Sequence, residues 1–339
     1  MRGRSLSGMS TVLGLPGLPA PTPAPTFKAA WDGALYGPDG FYRREQPAAH
    51  FRTSVHASPL FAAALVRLTR EAGLDTIVDV GAGRGELLVS AHALDPDLQL
   101  LGVEVAGRPA GLPEAIDWSA SLPTSVDGLV VANEWLDNVP CHVVEVGHDG
   151  VPRILHVEPE SGAETTGSAL TSTAVPAALA AWCERWWPVL GADPGTRAEV
   201  GTTRDAAWAD VVSRLARGLA VAVDYGHTRG DRPPWGSLRS YRDGNEVDVR
   251  LDGTRDVTAD VAVDSVAAAV EGTLTSQAAA LRTLGVDATR PRLDLANEDP
   301  GGYVRALSQA GEAAELTARA GLGDFVWVVT ATGGCPSPL

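Results

Sequence analysis

The chain has 339 residues, 45% of them hydrophobic and 20% charged, and a formal net charge of −15. That acidic balance argues against a large nucleic-acid footprint, which needs a basic stripe, and no apolar run reaches the ~18 residues that would span a bilayer. Length alone suggests about two domains of ~150 residues each. Cys141, Cys183 and Cys335 are far apart and show no CxxC or Cys/His spacing. This argues against structural zinc and for a reducing cytoplasm. The seven histidines form no HExxH pattern, so no metal is expected. Lys28 is the only lysine among 27 basic residues, an arginine bias associated with GC-rich bacterial genomes. An acidic surface would steer a basic protein or peptide toward the chain; its simpler use is solubility.

In chain order, Arg2 and Arg4 precede TVLGLPGLPAPTPAPT, whose prolines break the apolar core a signal peptide needs. Residues 1–26 read as a disordered Pro-rich tail. Next, Trp31, Tyr36, Phe41, Tyr42 and Phe51 are interleaved with Gly and Pro. They form either a cap packed on the main domain or a lid over a bound ligand. Ser58 followed by Pro59 is a helix start, an N-cap and then proline at the first position. Leu60, Phe61, Ala64, Leu65 and Leu68 share one face, and Gly73 closes the helix.

The stretch IVDVGAGRGE follows at residues 77–86. Ile77, Val78 and Val80 predict a buried parallel strand. Gly81, Gly83 and Gly85 then let the chain turn tightly and let a ligand approach without a Cβ in the way. A helix begins near Glu86 and runs to 94, its N-terminus offering unpaired N–H groups. A dinucleotide fingerprint would place Gly or Ala where Glu86 stands. Gly-x-Gly-x-Gly with Asp79 two residues ahead fits an S-adenosylmethionine (SAM) site better. The second strand, 99–105, carries Glu104, 23 residues after Gly81. An acid about 20 residues downstream is placed to accept both ribose hydroxyls. The plain alternative is a glycine-rich turn in an enzyme with another ligand.

A third strand near 115–118 ends in Asp117 and Trp118, where the indole either stacks on an adenine or fills the core. The fourth, 128–132, breaks into NEWLDNVP. Polar residues after a buried Val-Val run should face the cleft, which puts Asn133, Glu134 and Asp137 there; alternatively Asn133 caps a turn and Asp137 is solvated. The Asn/Asp-Pro-Pro-aromatic motif of amine-methylating nucleic-acid enzymes is absent. Residues 142–157 read as a β-hairpin around HDG, 161–175 as a loop, and 176–190 as a helix carrying Trp182, Trp186 and Trp187. Together they suggest an insertion at about 142–200. A helix at about 203–217 leads into GLAVAVDYGH, the fifth strand, with Asp224 and Tyr225 at its cleft end. Two further helices follow, one of them capped by Thr275. A helix near 301–319 then precedes a closing strand, DFVWVVTAT. The βα alternation implies an α/β fold, a doubly wound Rossmann-like sheet with ligands at the carboxyl ends of its strands.

Several separated stretches together resemble one family, the MidA-type SAM-dependent methyltransferases, which include the mitochondrial complex I assembly arginine methyltransferases. They are FRTSVHASPLF, VDVGAGRGEL, GVEV, NEWLDNVPCHVVEV, AVDYGH, GSLRSY, DVTADV, SQAAALRTLGV and GLGDFVWVV, spread in the family's order over residues 36–330. The resemblance implies a seven-stranded class I methyltransferase sheet with an inserted subdomain, SAM as cofactor, and a protein arginine as acceptor. It places Gly81, Gly83 and Gly85 at the glycine turn, Glu104 on the ribose, and Asn133, Glu134 and Asp137 at an Asn-Glu-x-x-Asp motif. Asp224 and Tyr225 fall at an Asp-Tyr-Gly motif. Ala49, His50 and Phe51 stand where the family reads Gly-Asp-Phe, and Val55 and His56 replace its Pro-Glu.

For an arginine acceptor, carboxylates must hold the planar guanidinium bidentately. Glu134 is expected to do this, helped by Asp137 or Asp224. Two alternatives differ in class. One is a small-molecule methyltransferase whose aromatic residues wall an apolar pocket. The other is a SAM-binding assembly factor with little activity, for which the lost acid at Val55-His56 is the support.

Overall fold

The computed structural model describes residues 24–44 and 54–339. The departure at Ala49, His50 and Phe51 and most of the Pro-rich tail lie outside these residues. Ala24 to Thr26 run beside the strand that carries His156, bridging to it at Thr26.

Five parallel strands form most of the main sheet: β1 (Thr76–Val80), β2 (Gln99–Val103), β3 (Ile116–Ser119), β4 (Val126–Asn133) and, after the insertion, β9 (Leu215–Asp224). Two late strands, β15 (Thr273–Ser276) and β16 (Val326–Thr332), complete it in the order β15-β16-β9-β4-β1-β2-β3, with β16 antiparallel to both neighbours. The protein therefore has the mixed seven-stranded methyltransferase-type sheet, with one strand that the sequence reading missed. TLTS over 273–276 lacks the apolar run of a buried strand, because it is an edge. The helix after it is capped by Ser276, not Thr275.

Alternation along the strands explains the two covered faces. Leu129 and Val131 of β4 enter one core with helices α4 (Pro59–Glu71), α5 (Glu86–Leu94), α9 (Gln277–Thr283) and α11 (Pro300–Leu316). Val130 and Ala132 enter the other, with α7 (Thr202–Ser213) and α8 (Val263–Ala269). Such two-sided burial is why the parallel strands read as unbroken apolar runs. Ser58 caps α4 as its sequence predicts, accepting from the Leu60 amide at 3.0 Å. A short helix, α10 (Leu293–Glu298), packs on α11. Among the described residues no helix is long and apolar enough to cross a membrane.

The insertion is an antiparallel sheet of β5 (His142–Val146), β6 (Pro152–Val157), β7 (Glu164–Ala169) and β8 (Arg197–Val200), ordered β7-β6-β5-β8. β7 falls within 161–175, which the sequence suggests to be a loop. Its Ser/Thr/Gly composition disguises an edge strand that is largely exposed. One face of this sheet packs on α1 (Phe27–Tyr36) through Trp31, Leu35, Val143 and Leu155; two four-residue helices, α2 (Phe41–Arg44) and α3 (Ser54–Ala57), lie between α1 and α4 in the chain. The other packs on α6 (Ala177–Trp186) through Leu179, Trp182 and Val144. The tryptophans of α6 thus serve packing. A small sheet of β11 (Arg239–Arg242), β12 (Asn245–Val247) and β13 (Asp256–Thr258), together with the pair β10 (Gly226–His227) and β14 (Val261–Ala262), joins the insertion to the main sheet.

Candidate functional site

At the end of β1 the chain turns on Gly81 and Gly83, whose φ angles of 73° and 55° lie in the left-handed region that favours glycine. The Gly81 and Ala82 amides donate to the Val103 carbonyl at 2.9 and 3.3 Å, lacing the turn to the end of β2. Glu104 follows directly and accepts from Gly83 N at 3.1 Å and from Ala106 N at 3.2 Å. The turn borders a cavity of about 630 Å³ at the carboxyl ends of the strands.

Asp79, Gly81, Gly83 and Glu104 line one end of this cavity, and Asn133, Glu134 and Asp137 line the region beyond β4. Three of the predicted cofactor residues lie elsewhere. Asp117 is exposed on β3. Trp118 is drawn back, its Nε1 donating to the Ala106 carbonyl at 3.1 Å while its ring packs against Gly85. Gly85 serves the N-terminus of α5, where a Cβ would meet Leu112 Cδ1 at 2.8 Å. Ala120, Ser121 and Leu122, just past β3, border the cavity in their place. Asp224 also stays outside it. Its Oδ2 accepts from the Leu136 and Asp137 amides, and its Oδ1 from the Tyr225 amide at 3.0 Å.

The other end of the cavity holds residues the sequence reading did not assign. Tyr36 and Tyr42, from the aromatic lead-in, form a wall with rings 5.6 Å apart. They belong to a packed cap, and both residues also border the cavity. The Tyr42 hydroxyl donates to Asp256 Oδ1 at 2.8 Å, and Asn138 Nδ2 donates to the same oxygen at 3.2 Å. Thr258 Oγ1 donates to Asp137 Oδ2 at 2.6 Å, and the Tyr225 hydroxyl joins the same group. Phe325, ahead of β16, packs on Tyr225 at 5.5 Å. The only hint of Asp256 and Thr258 in the sequence was the DVTADV stretch.

Burial dominates the electrostatics. It pushes Glu134 up to about 7, with Asp137 adding repulsion, and Asp256 up to about 7 for the same two reasons. Asp79 is pushed up to about 8 by burial and then by Glu104 and Glu86. Asp137 is also raised by burial, against the pull of Thr258, Tyr225 and Arg204. Glu134 has a φ of 51° and is fixed there by its amide bond to the Val223 carbonyl at 2.8 Å. A non-glycine residue holds that conformation only when its surroundings impose it. Its Oε1 accepts from the Ser54 amide at 3.3 Å and from Asn133 Nδ2 at 3.2 Å. At the rim, His56 Nε2 lies 3.4 Å from a Glu86 oxygen, and that contact raises the imidazole.

The family model for a "putative S-adenosyl-L-methionine-dependent methyltransferase" matches residues 92–280, more than half of the chain. The protein belongs to this family. Two crystal structures from Burkholderia thailandensis are similar in fold at 24% identity, each covering 93% of this chain and 89% of its own. One, described as a "likely methyl transferase bound to S-adenosyl-homocysteine", aligns with a TM-score of 0.72. The other, a native uncharacterized protein of the same superfamily, aligns at 0.73. No curated protein sequence matches the chain.

The residues present suit SAM, the cofactor of this methyltransferase. Asp79 is buried and has no donor among the described residues, and Asn133 Oδ1 is a buried acceptor without a partner there. Two such acceptors in one cavity match an α-ammonium group. A Cβ on Gly83 would meet nothing nearer than the Glu86 carboxylate at 3.8 Å, so its bare face opens on the cavity. Glu104, one residue past β2, borders the cavity where it would hold the ribose hydroxyls. Bound SAM supplies an activated methyl group on a sulfonium that is already a good leaving group. The protein has to position an acceptor beside it, exclude water and take up the acceptor's proton.

Proposed function

We propose that this methyltransferase modifies the guanidinium of an arginine side chain on a protein partner, as a MidA-type enzyme of the bacterial cytoplasm. The observation that carries this reading is the convergence of Glu134, Asp137 and Asp256 at the end of the cavity away from the glycine turn. Glu134 and Asp256 direct one oxygen each to internal donors. Asp137 keeps Oδ1 without a partner among the described residues. Carboxyls clustered this closely repel one another, and a planar cation between them relieves that repulsion. The tyrosine wall suits the flat faces of a guanidinium. Glu134 grips the acceptor and, with a value near neutrality, receives its proton.

The test is methyl transfer from labelled SAM to proteins of a cell extract, followed by acid hydrolysis and amino-acid analysis. Labelled methylarginine, lost with Glu134→Gln, is the expected result. Label confined to the small-molecule fraction would instead support a metabolite acceptor. S-adenosylhomocysteine binding with no labelled product would support an assembly factor.

A further inference from the structure

Arg204 lies outside the cavity in the first turn of α7, and it is 1% exposed. A buried guanidinium is costly to desolvate unless negative charge faces it. No carboxylate among the described residues pairs with it directly. It donates instead to main-chain carbonyls: Nη2 to Asp137 at 2.6 Å, Nη1 to Asp260 at 2.9 Å and Nε to Val139 at 3.1 Å. The Trp31 ring covers it at 5.7 Å. Its neighbour Thr203 donates to the Pro140 carbonyl at 2.7 Å, so the start of α7 fastens the whole turn after β4.

The acids missing from its hydrogen bonds stand in the shell around it. Arg204 pulls down the carboxyls of Asp137, Asp224, Glu199 and Asp205, all of which burial pushes up. The groups facing Asp137 are Glu134 at the end of β4, Asp224 and Tyr225 from β9, Asp256 and Thr258 from β13, and Tyr36 and Tyr42 from the lead-in. Arg204 acts on Asp137 from behind the wall, while Arg239 of β11 borders the cavity itself, 5.3 Å from the ring of Tyr225.

We propose that Arg204 is a positioning residue for methyl transfer: from behind the cavity wall it fastens the turn bearing Asp137 and sets a fixed positive charge beside that residue. The role of Asp137 toward an acceptor rests on the function proposed above; its charge state can be read without any acceptor. The acid at this end of the site is then set from the rear, and its buried Oδ1 keeps no partner among the described residues.

The experiment is carbon-13 NMR titration of full-length protein labelled at aspartate carboxyls, with Asp137→Asn identifying the resonance. Asp137 is expected to be ionised at neutral pH in the wild type. Its proton affinity should rise about tenfold or more in Arg204→Met and Arg204→Gln, as when an opposite charge is withdrawn from a carboxylate. Arg204→Lys, which keeps the charge, should titrate close to the wild type. S-adenosylhomocysteine calorimetry checks that each variant is folded. Arg204→Gln keeps donors for the carbonyls and serves if the Met variant fails to fold. A wild-type Asp137 that is protonated at neutral pH would overturn the proposal, as would a neutral variant with an unmoved midpoint. Failure to find methylarginine would leave both readings of this titration intact.

Discussion

Asp224 is tied to the turn that carries Asp137 through the main chain: its Oδ2 accepts the Leu136 amide at 3.0 Å and the Asp137 amide at 3.1 Å. Its function is therefore to hold the wall of the site in shape. Asp224→Ala leaves the buried Leu136 and Asp137 amides without an acceptor, at a cost of roughly 1–3 kcal/mol each. Urea unfolding should report that loss, with a smaller one for Asp224→Asn, which retains an amide oxygen. An unchanged midpoint for the alanine variant would remove the pinning role.

Gly83→Asp should weaken cofactor binding strongly while the protein stays folded. The position opens on the cavity at a φ of 55°, and a new carboxylate there would join Glu104 and Glu86. Calorimetry with S-adenosylhomocysteine should show affinity lower by roughly a hundredfold, or ~2.7 kcal/mol. Near-wild-type binding would displace the cofactor from the glycine turn.

Asp79 makes cofactor binding pH-dependent. Its carboxyl sits at about 8 in the folded protein, above the 3.8 of an ordinary aspartate. Between those values the folded state holds a proton that the unfolded chain has released. Stability of the free protein therefore falls as pH rises through this window, and Asp79→Asn should flatten that fall. An ammonium group bound beside Asp79 favours the ionised form, so binding should release a proton. Cofactor affinity should then rise with pH up to about 8. Titrations in buffers of different ionisation enthalpy measure the proton directly; zero release would separate Asp79 from the ammonium.

Glu134 and Asp256 should divide binding from chemistry. Asp256 sits against Tyr42 and Asn138 at the wall, so Asp256→Asn is expected to raise KM for an arginine acceptor with kcat little changed. Glu134→Gln removes the proton acceptor and should lower kcat by about 10²-fold or more. Steady-state kinetics on the acceptor identified by labelling will decide; equal effects on KM from both variants would merge the two roles.

The parts of this site that were legible in the sequence are those fixed by strand ends. Asp79, Gly81, Gly83 and Glu104 meet because β1 and β2 are parallel neighbours in register, Asp79 opposite Gly102. Asn133 and Glu134 reach the same cavity because β4 lies on the other side of β1. Strand-end logic places a backbone, however, and does not orient a side chain. It put Trp118 and Asp224 near the cleft, while local hydrogen bonds turn the first back over Gly85 and the second under the Asp137 turn. For Tyr36, Tyr42, Asp256 and Thr258 the aromatic lead-in and the DVTADV stretch draw notice, but nothing local shows that they share one site. They meet through contacts spanning most of the chain, and no periodicity encodes such a contact.

The Trp31 indole donates to the Val257 carbonyl at 3.0 Å, a partner 226 residues further along the chain. On the ribosome, at about 5–20 residues per second, α1 emerges roughly 10–45 s before the strand it rests on exists. Through that interval Phe27, Trp31 and Leu35 form an apolar stripe with only the earlier inserted strands to cover it. This wall of the cavity is thus synthesised well before the strand that completes it. Nascent chains of this methyltransferase should be clients for holdase chaperones until residue 257 has cleared the exit tunnel.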